Sequence, residues 1–193
     1  MIGLLVLLGA APIVDSARTR TEALEGLSPD CPPAIAAAQA LLDVRYTSMD
    51  GALHQGQIVV NQAYAAEVAQ VFAEIERLGF PVRSVVPITE YRWDDDASMA
   101  ADNTSAFNYR QKTGGGTLSL HACGAAIDLN PRLNPYVTAR RILPPGALWD
   151  PTVPGTLTAD HPVTRAFRAL GWRWGGTFKS LKDYQHFEKD CPS

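Results

Sequence analysis

Ser119-Leu120-His121-Ala122-Cys123-Gly124-Ala125-Ala126-Ile127-Asp128 is the stretch on which the fold turns. Ala125 to Leu129 reads as a buried strand with Asp128 near its end. Gly124 interrupts the chain just before it, so His121 is expected to fold back over the strand and meet Asp128. On an unbroken strand, a separation of seven residues puts the two side chains on opposite faces. A carboxylate within an apolar strand is itself informative, because buried carboxylates are usually paired or metal-bound.

A second stretch, Gly171-Trp172-Arg173-Trp174-Gly175-Gly176-Thr177-Phe178, leads into Asp183-Tyr184-Gln185-His186-Phe187-Glu188. Asp183 and His186 stand three apart, across the turn that enters a last strand over Gln185 to Glu188. Together the two stretches supply what a catalytic zinc needs: three ligands from His and Asp, a fourth position for water, and a carboxylate outside the ligand set to move a proton. His121, Asp128 and His186 are the candidate ligands, and Asp183 is the candidate base. Residue chemistry alone also permits two hydrogen-bonded histidines and a turn carboxylate at Asp183.

The chain has 193 residues, one domain's worth, with 46% apolar and 19% charged residues, which argues against disorder. A net charge of −3 without a basic run excludes a dominant nucleic-acid function. No apolar run reaches the ~20 residues of a spanning helix. Met1 to Val14 is uncharged and contains Leu4-Leu5-Val6-Leu7-Leu8, with small residues after it, as in an export signal. Without cleavage it would be an apolar segment packed on the domain. The expected division is residues 1–17 as this segment, 18–50 as a helical extension and 51–193 as the main domain.

Between these landmarks, Pro33 to Val44 reads as a helix, Ile58 to Val60 as a strand, and Gln62 to Leu78 as a helix capped by Asn61 and stopped by Gly79. Val82 to Tyr91 reads as an edge strand. Asp94-Asp95-Asp96 reads as a solvated loop or helix start, Lys112 to Thr117 as a glycine linker, and Asn130 to Gly155 as a proline-rich surface excursion. Asp160 is placed to cap a helix running to Leu170. His54 and His161 read as ordinary surface histidines. Of the three cysteines, Cys31 and Cys191 sit near the two ends in similar Asp-Cys-Pro settings. The expectation is a Cys31–Cys191 disulfide in an exported protein, with Cys123 left over.

The pattern Ser-x-His-x-x-Gly-x-Ala-x-Asp over Ser119 to Asp128, followed by Asp-x-x-His over Asp183 to His186, resembles the zinc D-alanyl-D-alanine carboxypeptidases of the VanY type. It is also similar to the L-alanyl-D-glutamate endopeptidases, within the wider hedgehog/DD-peptidase group. Asn103 to Asn108 is similar to a segment of one branch of these peptidases. The resemblance covers about Gly51 to Glu188. It implies an α+β fold, with a small antiparallel sheet carrying the zinc site and helices packed around it. It also implies Zn2+ on His121, Asp128 and His186, Asp183 as general base and acid, and Arg110 as the cation facing the scissile carbonyl. Around Arg110 the match is looser, since Ser105 to Arg110 is longer than the family's Ser-Gly-Tyr-Arg. Ser119, Trp172 and Trp174 are candidate substrate-binding residues, with one tryptophan expected in the groove and Gly175-Gly176 letting backbone approach a ligand. The implied partners are peptidoglycan stem peptides, and an exported, monomeric enzyme is expected. A zinc-holding binding module of the same fold and a cysteine hydrolase using Cys123 with His121 are the competing readings.

Overall fold

The structure, a computed structural model, describes residues 11–192. In chain order the elements are β1 (Ile13–Val14), α1 (Arg20–Ala23), α2 (Pro33–Ala37), β2 (Gln39–Thr47), β3 (Leu53–Asn61), α3 (Ala65–Leu78), β4 (Ser84–Val85), α4 (Asp95–Ala100), β5 (Asn103–Thr104) and β6 (Ala126–Asp128). They continue with β7 (Tyr136–Val137), β8 (Ile142–Leu143), α5 (Pro162–Ala169), β9 (Arg173–Trp174), β10 (Lys182–Asp183) and β11 (His186–Glu188). This is a mixed α+β fold of small sheets and few helices. Among the described residues no helix is long and apolar enough to cross a membrane.

The scaffold is the hairpin of β2 and β3, paired antiparallel from Gln39↔Asn61 to Thr47↔Leu53. The helix expected over Pro33 to Val44 ends at Ala37, and β2 follows. In β2, Val44 and Tyr46 face inward while Asp43 and Arg45 face water, a period of two that only a strand can satisfy. Nine paired residues outweigh the few tenths of a kcal/mol per residue by which Ala and Leu favour a helix. The turn at residue 50 therefore lies inside a continuous hairpin. At the N-terminal side, Ile13 and Val14 pair parallel with His54 and Gln55 of β3. Ser16 is buried, and its hydroxyl donates to Gln57. Ile13 to Ser16 are thus seated on the domain, whereas the run Leu4 to Leu8 lies outside the described residues.

Helix α3 closes over this hairpin. Val68, Val71, Phe72 and Ile75 are buried, and Asn61 caps the 3-10 turn that precedes the helix. Gly79 ends α3 in the left-handed conformation at φ 59°, with Phe80 N–H returning to Ile75. The α3 face joins Ile127 and Leu129 beside β6, Phe187 of β11, Phe167 of α5, and both Trp172 and Trp174 in one core. Phe167 and Phe187 stack with centroids 3.9 Å apart. Since Phe187 lies between His186 and Glu188, burying it turns its neighbours to the opposite face of β11.

Three smaller expectations need correction. The edge strand over Val82 to Tyr91 reduces to Ser84–Val85, because Pro87 opens a 3-10 turn at Ile88–Tyr91. The last helix is capped by His161 rather than Asp160, its Nδ1 accepting from Val163 N–H. The excursion from Asn130 is pinned from within, for Asn134 donates to Leu129 and Gly155 carbonyls and accepts from Leu157 N–H.

The cysteines pair differently from the expectation. Cys123 is bonded to Cys191, and Cys31 is free and buried. Cys31 packs instead with Ala23, Val59 and Phe107, in a satellite cluster around the N-terminal helices. The disulfide spans 68 residues and ties the turn carrying His121 to the end of the chain after β11. Closing a loop of that length is worth roughly 4 kcal/mol in the chain-entropy model. Cys191→Ser is expected to lower unfolding stability by about 2–4 kcal/mol in chemical denaturation. Mass spectrometry of the non-reduced protein is expected to find one alkylatable thiol, at Cys31.

Candidate metal centre and its cleft

The site grows from the antiparallel sheet β6–β11–β9. In its register His186 stands directly opposite Asp128. Asp128 Oδ1 lies 2.9 Å from His186 Nδ1, and Asp128 Oδ2 lies 3.2 Å from His121 Nε2. His121 arrives from a 3-10 turn, Leu120–Cys123, which Ser119 caps and Gly124 ends at φ 70°. A Cβ on Gly124 would stand 2.2 Å from Gln39 Oε1 and 2.6 Å from Asn61 N, so the turn closes against β3 only with glycine there. The reversal expected from Gly124 is thereby realised.

Backbone from the Asn103–Asn108 segment sets the orientation of His121. Ser105 and Asp128 exchange both backbone hydrogen bonds, laying this segment beside β6. His121 Nδ1–H donates to the Ala106 carbonyl at 2.5 Å, and Asn108 N–H donates to the His121 carbonyl. A carbonyl only accepts, so Nδ1 carries the proton and Nε2 is left with a free lone pair. That lone pair lies 3.2 Å from His186 Nδ1. One ligand atom from each of His121, Asp128 and His186 lies within 4.8 Å of the others, and all three residues are buried. Two imidazole nitrogens and a carboxylate converging in this way fit a metal ion.

Buried charges adjust accordingly. Burial opposes ionisation of Asp128, yet His121 and His186 hold its carboxyl well below the usual range. Burial alone would lower the His186 imidazole, but hydrogen bonds to Asp128 and Glu188 carry it up to about 10. Burial pushes the Asp183 carboxyl up to about 6, against the pull of His186. Asp183 Oδ1 is buried and has no hydrogen-bond partner. An oxygen left unpaired in this way is costly, which marks the carboxyl as a candidate for proton transfer.

Asp183 comes from β10, which pairs with β7 in a different sheet. Gly175 sets its position. A Cβ there would meet Asp183 O at 2.4 Å and Asp183 Cβ at 2.8 Å. The glycine pair thus serves close packing inside the protein and not approach to a ligand, since Gly176 lies against the Trp174 indole.

These groups line one cleft of about 260 Å³. The cleft brings together His121, Asp128, Asp183, His186, Arg110 and Ser119, as expected from sequence. Ser119 lines the wall, with its hydroxyl accepting from His121 N–H. Trp172 and Trp174 are not in the cleft. They are 2% and 4% exposed, with their indole N–H groups donating to Glu67 and to the Tyr184 carbonyl. Their large apolar area is worth more in the core than at a wet groove. Cys123 is consumed by the disulfide, which removes the thiolate that a cysteine hydrolase needs.

The sequence reading missed several positions of the cleft. Asp95, read as part of a solvated acidic run, lies in the cleft with its Oδ1 2.9 Å from Arg110 Nε and accepting from Asn108 Nδ2. Asp94 caps α4, and that cap turns Asp95 inward. Tyr136 and Leu143 reach the cleft wall from the proline-rich segment. Glu188 lines it two residues beyond His186, a spacing that places both on one face of a strand. The glycine linker is the exposed tip of a hairpin closed by Lys112 N–H to the Thr117 carbonyl, and Lys112 and Thr113 border the cleft.

Residues 113–189 match the family model for D-alanyl-D-alanine carboxypeptidases. The match covers less than half of the chain, and over that segment the chain is similar to these peptidases. The match contains His121, Asp128, Asp183 and His186, whereas Arg110 and Asp95 lie before it. No curated protein and no solved structure matches the chain. The members of this family are metal-dependent peptidases, in keeping with the buried His-Asp-His group.

Gly175→Ala is expected to displace Asp183 and leave the three ligands in place. Activity should fall roughly 10²-fold, in line with a misplacement near 1 Å, with metal content unchanged by elemental analysis.

Proposed function

We propose that this protein is a zinc-dependent peptidase that hydrolyses peptide bonds in the peptidoglycan stem peptide, as a D-Ala-D-Ala carboxypeptidase or an L-Ala-D-Glu endopeptidase. The observation that carries the reading is the buried His121–Asp128–His186 group with the Asp183 carboxyl beside it in one cleft, its Oδ1 without a hydrogen-bond partner. That free oxygen supports a proton-transfer role over a site that only holds zinc. The disulfide supports a place of action outside the cytoplasmic membrane, where peptidoglycan lies and thiols are oxidised.

Zinc held by His121, Asp128 and His186 would supply a Lewis acid and a water of lowered pKa, about 7. Asp183 takes a proton from the attacking water and returns it to the departing amine. Its carboxyl ionises near 6 in the metal-free protein, so it is in the base form at neutral pH. Arg110, steered by Asp95, faces the carbonyl oxygen and offsets the negative charge that develops there. Met99, Leu120, Tyr136, Leu143, Phe178 and Leu181 give the cleft apolar walls that hold the peptide and exclude water.

Stem peptides incubated with the purified protein and resolved by mass spectrometry test the assignment. Release of D-Ala identifies the carboxypeptidase, and cleavage between L-Ala and D-Glu identifies the endopeptidase. Zinc without cleavage of any stem peptide replaces the enzyme with a binding module. His121→Ala is expected to lose both zinc and activity. Asp183→Ala should keep zinc and lose turnover by about 10² or more, and normal turnover in that variant would overturn the mechanism.

The His186 proton sets the pH dependence of metal uptake. His186 is protonated up to about 10 in the metal-free protein, and a metal on Nδ1 must displace that proton. Zinc affinity is therefore expected to rise with pH, about tenfold per unit between pH 6 and 8, as read by chelator competition. In the metal-free protein the same raised pKa stabilises the fold. That contribution is complete below the unfolded value near 6.5 and is lost as pH rises through about 10.

A further inference from the structure

We infer that Glu188 is a positioning residue for the ligand His186, and that Arg173 holds it in place. The two histidines of the metal group are oriented by different means. His121 spends its outer nitrogen on a backbone carbonyl, Ala106 O. His186 spends its outer nitrogen on a side chain, with Nε2–H donating to Glu188 Oε2 at 3.1 Å. This contact fixes the proton on Nε2, aims Nδ1 at Asp128 and His121, and makes the imidazole a stronger donor to a metal.

The geometry is built into the sheet. His186 and Glu188 share one face of β11 because Phe187 between them is buried in the core. Glu188 stands opposite Arg173 in β9, and Arg173 Nε donates to Glu188 Oε1 at 3.1 Å. A second Arg173 nitrogen donates to Asp190 at 2.9 Å. Both Glu188 oxygens are thus engaged, one by His186 and one by Arg173. The opposite partner on β6 is Ala126, whose methyl group offers no competing donor.

The inference rests on the metal reading proposed above, and the test separates the two. Zinc dissociation constants are measured by chelator competition on the full chain, for wild type, Glu188→Ala and Glu188→Gln. Glu188→Ala is expected to bind zinc about 10–100-fold more weakly, the usual effect of removing such a partner. Glu188→Gln keeps an acceptor for Nε2–H and is expected to lose only about threefold to tenfold, a partial rescue. Cobalt(II)-loaded Glu188→Ala should show a shifted visible absorption band, a change that loss of global stability does not produce. The metal-free melting temperature of each variant guards against misfolding, and Glu188→Gln carries the test if Glu188→Ala does not fold. Wild-type zinc affinity and an unshifted cobalt spectrum in a folded variant would overturn the role of Glu188 alone. A wild type that takes up no zinc would overturn the metal reading and this inference with it.

Discussion

Asp128 is the constraint around which the rest of the molecule is arranged. It is a buried carboxylate at the end of β6, where an unpaired charge would cost several kcal/mol. It is tolerated because His121 and His186 approach it from two sides, at 3.2 and 2.9 Å. Each approach needs its own scaffold. His121 needs a turn that reverses at Gly124 against β3, and His186 needs a strand in register with β6. The β2–β3 hairpin, α3 and the aromatic core pack in one cluster with Ile127 of β6 and Phe187 of β11, behind the strands that carry Asp128 and His186. The Cys123–Cys191 bond then ties together the stretches that deliver the two histidines.

The metal group was legible in the sequence because its information is local. A His, a helix-breaking glycine and an Asp within ten residues allow only a few geometries, and the short run from Asp183 to His186 allows few more. The centre of α3 was legible for the same reason, since its periodicity lies within one element. β2 was not legible, because Ala-rich sequence favours a helix locally and only pairing with a strand some fifteen residues away reverses that preference. Trp172 and Trp174 were misassigned for a related reason. A glycine-flanked aromatic pair looks the same whether the glycines admit a ligand or a neighbouring strand, and here they admit Asp183 and an indole.

The cysteines show what one-dimensional symmetry can hide. Two similar Asp-Cys-Pro settings suggested a bond between the chain's ends. Cys31 is instead enclosed by the N-terminal helices, while Cys191 follows the strand that carries His186 and so reaches Cys123. Spatial neighbours were set by sheet order, which no spacing of cysteines records. Asp95 was missed on similar grounds. One aspartate of three became a cap, and the next was turned inward beside Arg110.

The Arg110–Asp95 pair lies outside residues 113–189, whereas the metal group lies wholly within them. The cleft is thus assembled from two stretches of the chain that are bonded to each other. His121, Asp128 and His186 form a compact group around the β6–β11 pairing, and Asp183 reaches it from β10 in a second sheet. The Arg110 guanidinium arrives on a separate arm, tied to that group by the hydrogen bond from Ser119 N–H to the Arg110 carbonyl. The same arm carries the Ala106 carbonyl that orients His121, so a backbone shift along it would move the cation and a histidine of the buried group together.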